Sequence, residues 1–146
     1  MFQKILVPVD GSEKSMEAVE MAATLSQIHD GEIFILSIFR HHTIMERSFS
    51  MSRSSKRLDS LDETLSGYAK EVVEAGKTLA LEKGATKVRG FVRGGQIAKQ
   101  ILSFAKLNEV DLIVIGSQGL GDLSGYLLGG ISQKVAGLAK CPVLVV

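Results

Sequence analysis

Five short runs of apolar, mostly β-branched residues recur along the chain, and patterns typical of helices fill the intervals between them. The runs are ILVPV, EIFILSIF, KVRGFVRGG, DLIVI and PVLVV, of which the third is the weakest. Strands that are apolar at successive positions are typical of a sheet covered on both faces, and such sheets are parallel. Because right-handed crossovers join parallel strands, the order βαβαβαβαβ predicts a doubly wound, Rossmann-like α/β sandwich.

The predicted sheet has five mostly parallel strands in the order 3-2-1-4-5, with the first strand at its centre. A length of 146 residues fits one domain, which would span residues 1–146. The segment from Arg40 to Arg57 is polar, serine-rich and basic, so we expect a mobile loop over about 40–57. Apolar residues at helical spacing then predict a long helix from Leu58 to near Gly84.

The composition argues against several classes of partner. A net charge of +1, an aromatic content of 5% and the lack of tryptophan predict no nucleic-acid partner, since such proteins use basic surfaces and aromatic stacking. We expect no membrane contact, because no apolar run approaches the length of a membrane helix. We also expect no signal peptide, because the N-terminus lacks a cationic region, a long apolar segment and a cleavage site. A single cysteine cannot form an internal disulfide, which favours a cytoplasmic location.

A glycine-rich segment follows the fourth strand. The stretch GSQGLGDLSGYLLGGIS, from Gly116 to Ser132, holds six of the chain's 15 glycines. Gly129 and Gly130 come just before the last helix, where free N–H groups and the lack of a Cβ would let a phosphate approach the backbone. A flexible loop with tight turns is the alternative. The segment matches neither the Walker loop nor the dinucleotide fingerprint.

The topology predicts where this segment meets the rest of the chain. In open parallel sheets, ligands bind beyond the carboxyl ends of the strands, where the strand order reverses. The loops after strands one and four meet there, so we expect Asp10 to lie near Gly116 although the sequence separates them widely. Asp10 could instead cap the helix that follows it, and it could do both.

Three stretches together resemble the universal stress protein family. They are the opening KILVPVDGSEKSMEAVEMA, the spacing Gly116-x2-Gly119-x9-Gly129, and the ending KVAGLAKCPVLVV. The resemblance covers nearly the whole chain and is to the branch of the family that binds ATP. The family has serine or threonine directly after the last glycine of the pattern, where this chain has Gly130 and places Ser132 two residues later.

The resemblance implies a nucleotide site. The residue matching Asp10 would contact the ribose, the backbone near Val9 and at Ile38 or Phe39 would frame adenine, and the three glycines of the pattern would surround the ribose and phosphates. The full set of residues expected at the site is Pro8, Val9, Asp10, Ser12, Ile38, Phe39, Ile115, Gly116, Ser117, Gly119, Gly129, Gly130, Ile131 and Ser132. The ligand implied is ATP or another adenine nucleotide, with or without Mg²⁺.

We expect a nucleotide-binding protein with a regulatory or signalling role in a stress response, acting on a protein partner that the sequence does not identify. Ser117, Ser124 and Ser132 have no identifiable histidine partner, so no catalytic residue is assigned. The adjacent His41 and His42 lack the further ligands of a metal site. A slow ATPase or nucleotidyl transferase, and a nucleotide-free structural dimer, are the alternatives.

The closing run PVLVV predicts an edge strand. It is apolar at every position and ends the chain, so no later strand follows to cover it. An uncovered apolar edge favours association, and the family resemblance also implies a homodimer. We therefore expect two copies to pair through this strand. A monomer in which the terminus is covered by the chain's own helices is the alternative.

Overall fold

The computed structural model describes residues 1–40, 52–120 and 128–146, and within them the predicted doubly wound fold is confirmed. The strands are β1 (Lys4–Pro8), β2 (Glu32–Phe39), β3 (Val88–Gly94), β4 (Leu112–Ile115) and β5 (Val143–Val145). They form one sheet in the order β3-β2-β1-β4-β5, and every neighbouring pair is parallel. The predicted strand order is therefore correct, and β1 is central.

Four helices cover the sheet in the described ranges. They are α1 (Glu13–His29), α2 (Ser52–Glu82), α3 (Ile97–Leu107) and α4 (Gly130–Leu138). The long helix begins at Ser52 and not at Leu58, so the end of the predicted loop is helical. The first residues of α2 are serine, arginine and lysine, which are compatible with a helix. They contain no apolar periodicity from which the start of the helix could be predicted. Positions 41–51 of the predicted loop, and positions 121–127, lie outside the described residues.

Successive residues of each central strand pack against opposite layers of helices. Ile5 and Val7 of β1 belong to the cluster formed with α1 and α2, whereas Leu6 belongs to the cluster formed with α3 and α4. All three side chains are fully buried. Both faces of β1 are therefore in the core, which explains why its sequence is apolar at successive positions.

The two edges of the sheet differ in chemistry. At the β3 edge, the exposed Arg89 and Arg93 place their guanidinium carbons 5.0 Å from the Phe34 ring centroid and 5.5 Å from the Phe91 ring centroid, respectively. At the opposite edge, every residue of β5 is apolar and only half-buried. The predicted placement of PVLVV at an edge is confirmed.

Candidate functional site

A cleft of about 420 Å³ lies beyond the carboxyl ends of β1 and β4, where the strand order reverses. Its volume is within the range of small-molecule sites, and its position is the one that doubly wound folds use for ligands. Asp10 and Gly116 both line it, as the topology predicted. The lining residues are Pro8, Val9, Asp10, Ser15, Leu36, Ile38, Ile97, Ile101, Ile115, Gly116, Gln118, Gly119, Leu120, Ile131 and Ser132.

The structure brings part of the expected residue set into this cleft. The members that line it are Pro8, Val9, Asp10, Ile38, Ile115, Gly116, Gly119, Ile131 and Ser132. The members that do not line it are Ser12, Phe39, Ser117, Gly129 and Gly130. Phe39 instead borders a separate, more open depression beside α2. That any of these residues contacts a ligand stays a prediction.

Sequence reasoning missed part of the apolar wall of the cleft. Leu36 precedes Ile38 by two positions in β2 and therefore points to the same face of the sheet. Ile97 and Ile101 are one helical turn apart at the start of α3 and line the same cleft. Strand and helix periodicity could have identified all three, whereas the other missed residues, Ser15, Gln118 and Leu120, gave no such pattern.

The apolar wall is continuous with the core beneath α3 and α4. Leu36, Ile101 and Ile115 are buried members of that cluster, and Ile38 and Ile97 pack against it. Their side chains have no polar atoms and sit in place through core packing. They can therefore hold a flat, weakly polar ring, while hydrogen bonds to it must come from the backbone or from the polar side chains that line the cleft.

Asp10 joins the two loops that border the cleft. Its Oδ1 accepts a hydrogen bond from the Ser12 N–H at 2.9 Å, and its Oδ2 accepts one from the Leu120 N–H at 3.1 Å. The carboxylate is thus fixed by backbone on both sides, and each oxygen keeps a further lone pair for a ligand hydroxyl. Asp10 does not cap α1, because the cap is Ser12, whose Oγ accepts from the Ser15 N–H at 3.2 Å.

Gly116 has a packing role of its own. A Cβ at this position would lie 2.8 Å from the carbonyl carbon of Lys14 and 2.9 Å from its oxygen. These are backbone atoms in the first turn of α1, and they cannot move aside as the end of a flexible side chain would. Glycine is therefore required here because the loop after β4 passes directly against α1.

The two ends of the glycine-rich segment are tied together through backbone groups. The Gly129 N–H donates to the Ser117 carbonyl at 2.7 Å, and the Ser117 N–H donates to the Val146 carbonyl at 2.7 Å. The buried Ser132 hydroxyl lies 3.0 Å from the Ser117 carbonyl and 2.9 Å from the Gly129 carbonyl, so its one proton is shared between them. The Ser132 hydroxyl thus links the two ends of the glycine-rich segment.

Helix α4 begins beside the cleft without a side-chain cap. Its N-cap residue, Gly129, has no side chain to offer, and the first helical hydrogen bond runs from the Gln133 N–H to the Gly129 carbonyl at 3.0 Å. The N–H groups of Gly130, Ile131 and Ser132 therefore have no acceptor in the helix or from a capping side chain. They leave partial positive charge at this end of the cleft, which favours an anion.

The model of the universal stress protein family matches the chain over residues 1–146. The chain belongs to the universal stress protein family. Universal stress protein YxiE of Bacillus subtilis is 33% identical to it over 148 residues, which include all of this chain and 99% of the relative. The resemblance of the three sequence stretches is thereby confirmed.

Two solved structures extend the comparison. The structure of the hypothetical protein MJ0577 of Methanocaldococcus jannaschii is 28% identical, has a TM-score of 0.83, and is matched over all of this chain and 96% of that one. A universal stress protein in complex with cAMP is 24% identical, has a TM-score of 0.75, and is matched over 99% of this chain and 97% of that one. At that identity, the second likeness shows the shared fold alone.

The electrostatics of the cleft in this universal stress protein depend on few groups. Among the described residues that line it, Asp10 is the one ionisable side chain. Across the described ranges, no three His, Cys, Asp or Glu side chains lie together as metal ligands would. Cys141 lies away from the cleft, and burial raises the pKa of its thiol, which disfavours a nucleophilic thiolate.

Length and hydropathy decide whether the helices of this universal stress protein could span a membrane. In the parts of the chain that the structure describes, none of them is both long and apolar enough to cross a bilayer. Even α2, at 31 residues, has charged residues throughout its sequence.

Proposed function

We propose that this universal stress protein binds an adenine nucleotide in the cleft, and that occupancy of the cleft regulates its contacts with a protein partner in a stress response. One observation carries the proposal. A single space of about 420 Å³ combines an apolar wall, a backbone-fixed carboxylate and an uncapped helix start. The family match over the whole chain supports the same class of ligand.

Each part of the cleft suits one part of a nucleotide. The wall around Ile38 and Ile101 would hold the base, the Asp10 carboxylate would accept hydrogen bonds from ribose hydroxyls, and the first turn of α4 would hold phosphate. Asp10 stands in the loop after β1 and accepts a hydrogen bond from the Leu120 N–H in the loop after β4, so both loops that border the cleft meet at its carboxylate.

The hydroxyls in the cleft favour binding over catalysis. The Ser15 hydroxyl donates to the Ser12 carbonyl at 2.9 Å. The Ser132 hydroxyl donates to the carbonyls of Ser117 and Gly129, at the two ends of the glycine-rich segment. Neither is paired with a histidine, since none is among the described residues that line the cleft. We therefore propose a binding protein, not an enzyme with efficient turnover.

The proposal is tested by isothermal titration of the freshly purified protein with adenosine, AMP and ATP, with guanosine as the control for the base. Bound material released from the protein is identified by mass analysis. We expect all three adenine compounds to bind and guanosine to bind more weakly. Failure of adenosine, AMP and ATP alike to bind at millimolar concentration would overturn the proposal.

Replacement of Asp10 tests the ribose assignment. Asp10→Ala should weaken adenosine and AMP by the same factor, equivalent to about 1–3 kcal/mol, because both ligands would lose the same charged acceptor. Asp10→Asn keeps one acceptor oxygen and should cause a smaller loss. Titration calorimetry of both variants measures this. A loss confined to AMP, with adenosine unchanged, would instead assign Asp10 to the phosphate end.

Gly130 offers a variant in which binding should improve. A Cβ at this position would meet no atom within 4 Å, so a serine, the residue type implied by the family pattern, can be accommodated. Gly130→Ser should strengthen AMP binding about three- to tenfold by adding one donor to the phosphate, and leave adenosine unchanged. Gly130→Ala is the matched control without a hydroxyl. Equal effects of serine and alanine would contradict the phosphate assignment.

We also propose that two copies of the chain pair through their β5 strands. β5 is an edge strand, and its apolar residues remain half-buried although they pack against both core clusters. Unpaired strand edges with apolar side chains are seldom left open in native proteins. A two-fold pairing of β5 with itself would cover both edges at once.

A further inference from the structure

We propose that the outer edge of β3 binds an acidic, extended segment of a protein partner, which adds to the sheet as a further strand. The surface consists of residues 87–93, and none of them is among the described residues that line the cleft. The inference therefore stands independently of the ligand proposed for the cleft. It concerns the chemistry of the partner and the part of the sheet that the partner contacts.

The backbone of β3 presents hydrogen-bonding groups on the side away from β2, where the sheet ends. The Ile33 N–H donates to the Lys87 carbonyl at 2.8 Å, so Lys87 and every second residue after it face β2. The N–H and carbonyl groups of Val88, Gly90 and Val92 therefore point outward. Gly90 is half-exposed, and since glycine consists of backbone alone, the exposed atoms are those that an added strand would pair with.

Basic side chains lie along one face of this edge. Arg89, Phe91 and Arg93 alternate in β3, so their side chains point to the same face of the sheet, where Phe91 packs against the cluster beneath α3. Lys87 precedes Arg89 by two positions, and all three cations are exposed. Residues 87–93 contain no aspartate or glutamate, so this edge strand is basic in a chain whose net charge is only +1.

Aromatic rings hold the two guanidinium groups in place. The Arg89 guanidinium carbon lies 5.0 Å from the Phe34 ring centroid, and that of Arg93 lies 5.7 Å from the Phe104 ring centroid. Both also lie within 5.6 Å of the Phe91 ring centroid. Stacking restricts these long side chains, while the N–H groups at the rim of each guanidinium can still donate. A carboxylate can therefore be bound at a reduced cost in side-chain entropy.

Arg93 differs from the other two cations in its partner. Lys87 and Arg89 are paired with the carboxylates of Asp30 and Glu32, at 3.3 Å and 2.6 Å. In the described ranges, no carboxylate lies within ion-pair distance of Arg93. Its Nη1 instead donates to the carbonyl of the preceding residue at 2.9 Å, and that carbonyl is one of those that point outward. An incoming carboxylate would draw Arg93 away and leave this carbonyl free to accept an N–H of the added strand.

Charge and backbone together select the occupant. A second copy of β3 would bring cations against cations, whereas an acidic strand would give Arg93 the ion pair that it lacks. A nucleic acid could contact the cations, but it has no backbone N–H and carbonyl groups at the spacing of a strand. The expected segment has carboxylates opposite Arg89 and Arg93 and an apolar residue opposite Phe91, each two positions from the next.

Fluorescence anisotropy of the unmodified protein with designed peptides tests the inference. The probe is a labelled peptide with blocked ends, in which glutamate, valine and glutamate stand at alternate positions and threonine stands between them. We expect it to bind, and to bind more weakly as the salt concentration rises. The same peptide with N-methylated amides on the side that pairs should bind about tenfold more weakly or worse, because it cannot donate to the edge carbonyls.

Two further ligands serve as controls. A peptide of the same composition with both glutamates adjacent in sequence should bind about tenfold more weakly, because its carboxylates cannot lie on one face of a strand. A single-stranded oligonucleotide should not compete with the probe. The inference would be overturned if the probe did not bind at millimolar concentration, if the N-methylated or rearranged peptide bound equally well, or if the oligonucleotide displaced the probe.

Substitutions of Arg93 provide the second measurement, with folding checked by circular dichroism. Arg93→Ala should weaken the acidic peptide about tenfold, because its carboxylate loses the one cation that has no other ion pair. Arg93→Glu should weaken it further and should bind a peptide with lysine in place of the facing glutamate. Lys106→Ala removes an exposed cation of α3 that borders a different depression, beside the end of α4, and should change nothing. Equal effects of Arg93→Ala and Lys106→Ala would contradict the inference.

Discussion

Substitution of Gly116 by alanine should lower the free energy of unfolding by about 1–3 kcal/mol, the usual cost of inserting a methyl group into a packed site. The added Cβ would lie 2.8 Å from the Lys14 carbonyl carbon, so either the loop after β4 or the start of α1 must shift. Both elements border the cleft, and we expect the same variant to weaken nucleotide binding. Urea denaturation monitored by circular dichroism measures the change in stability.

The control for this prediction is another glycine of the same segment. Gly130→Ala adds the same methyl group in open space and replaces glycine at the first position of α4, so its free energy of unfolding should stay within about 1 kcal/mol of the parent or rise. Equal destabilisation by both substitutions would show that the loss reflects glycine content alone and not the close approach of Gly116 to α1.

Leu144→Lys should convert a dimer of this protein to a monomer at micromolar concentration. Leu144 is the middle residue of β5 and is only half-buried within one chain, so pairing of two β5 edges would bury it further. A lysine there would bring two ammonium groups together across the two-fold axis and remove them from water, which is unfavourable without a partner charge. Sedimentation velocity of parent and variant measures the change.

Two further variants separate loss of pairing from loss of folding. Leu144→Ala removes apolar area without adding charge and should weaken the dimer less than lysine does. Leu107→Lys places the same charge on α3, where the side chain is 82% exposed, and should leave the oligomeric state unchanged. A parent protein that sediments as a monomer at micromolar concentration would refute the proposed pairing.

The fold could be predicted from the sequence because burial of the central strands leaves a clear apolar pattern in the chain. β1, β2 and β4 are buried on both faces, so each appears as an unbroken apolar run, and their spacing fixes the parallel topology. The start of α2 at Ser52 could not be predicted in the same way, because its first turns carry no apolar periodicity. Burial thus determined which element boundaries could be predicted.

The position of the site could be predicted from the sequence, but its detailed contacts could not. The topology brings Asp10 and Gly116 together, although the contact of Asp10 with the Leu120 amide depends on loop geometry that no periodicity encodes. Gly116 fits a motif that implies ligand contact, whereas the structure also requires glycine there for packing against α1. A motif gives residue type at a position, and several different contacts can require the same residue type.

The unlike edges of the sheet bear on how far self-association can proceed. A pair joined through β5 would direct both β3 edges outward, and each of these presents Arg89 and Arg93 stacked on aromatic rings. Exposed charged side chains on an edge strand disfavour its pairing with an approaching copy, although Arg89 is ion-paired with Glu32 at 2.6 Å. Association would therefore stop at two subunits. The arginine-bearing edge would prevent a protein with an apolar edge strand from polymerising into fibres.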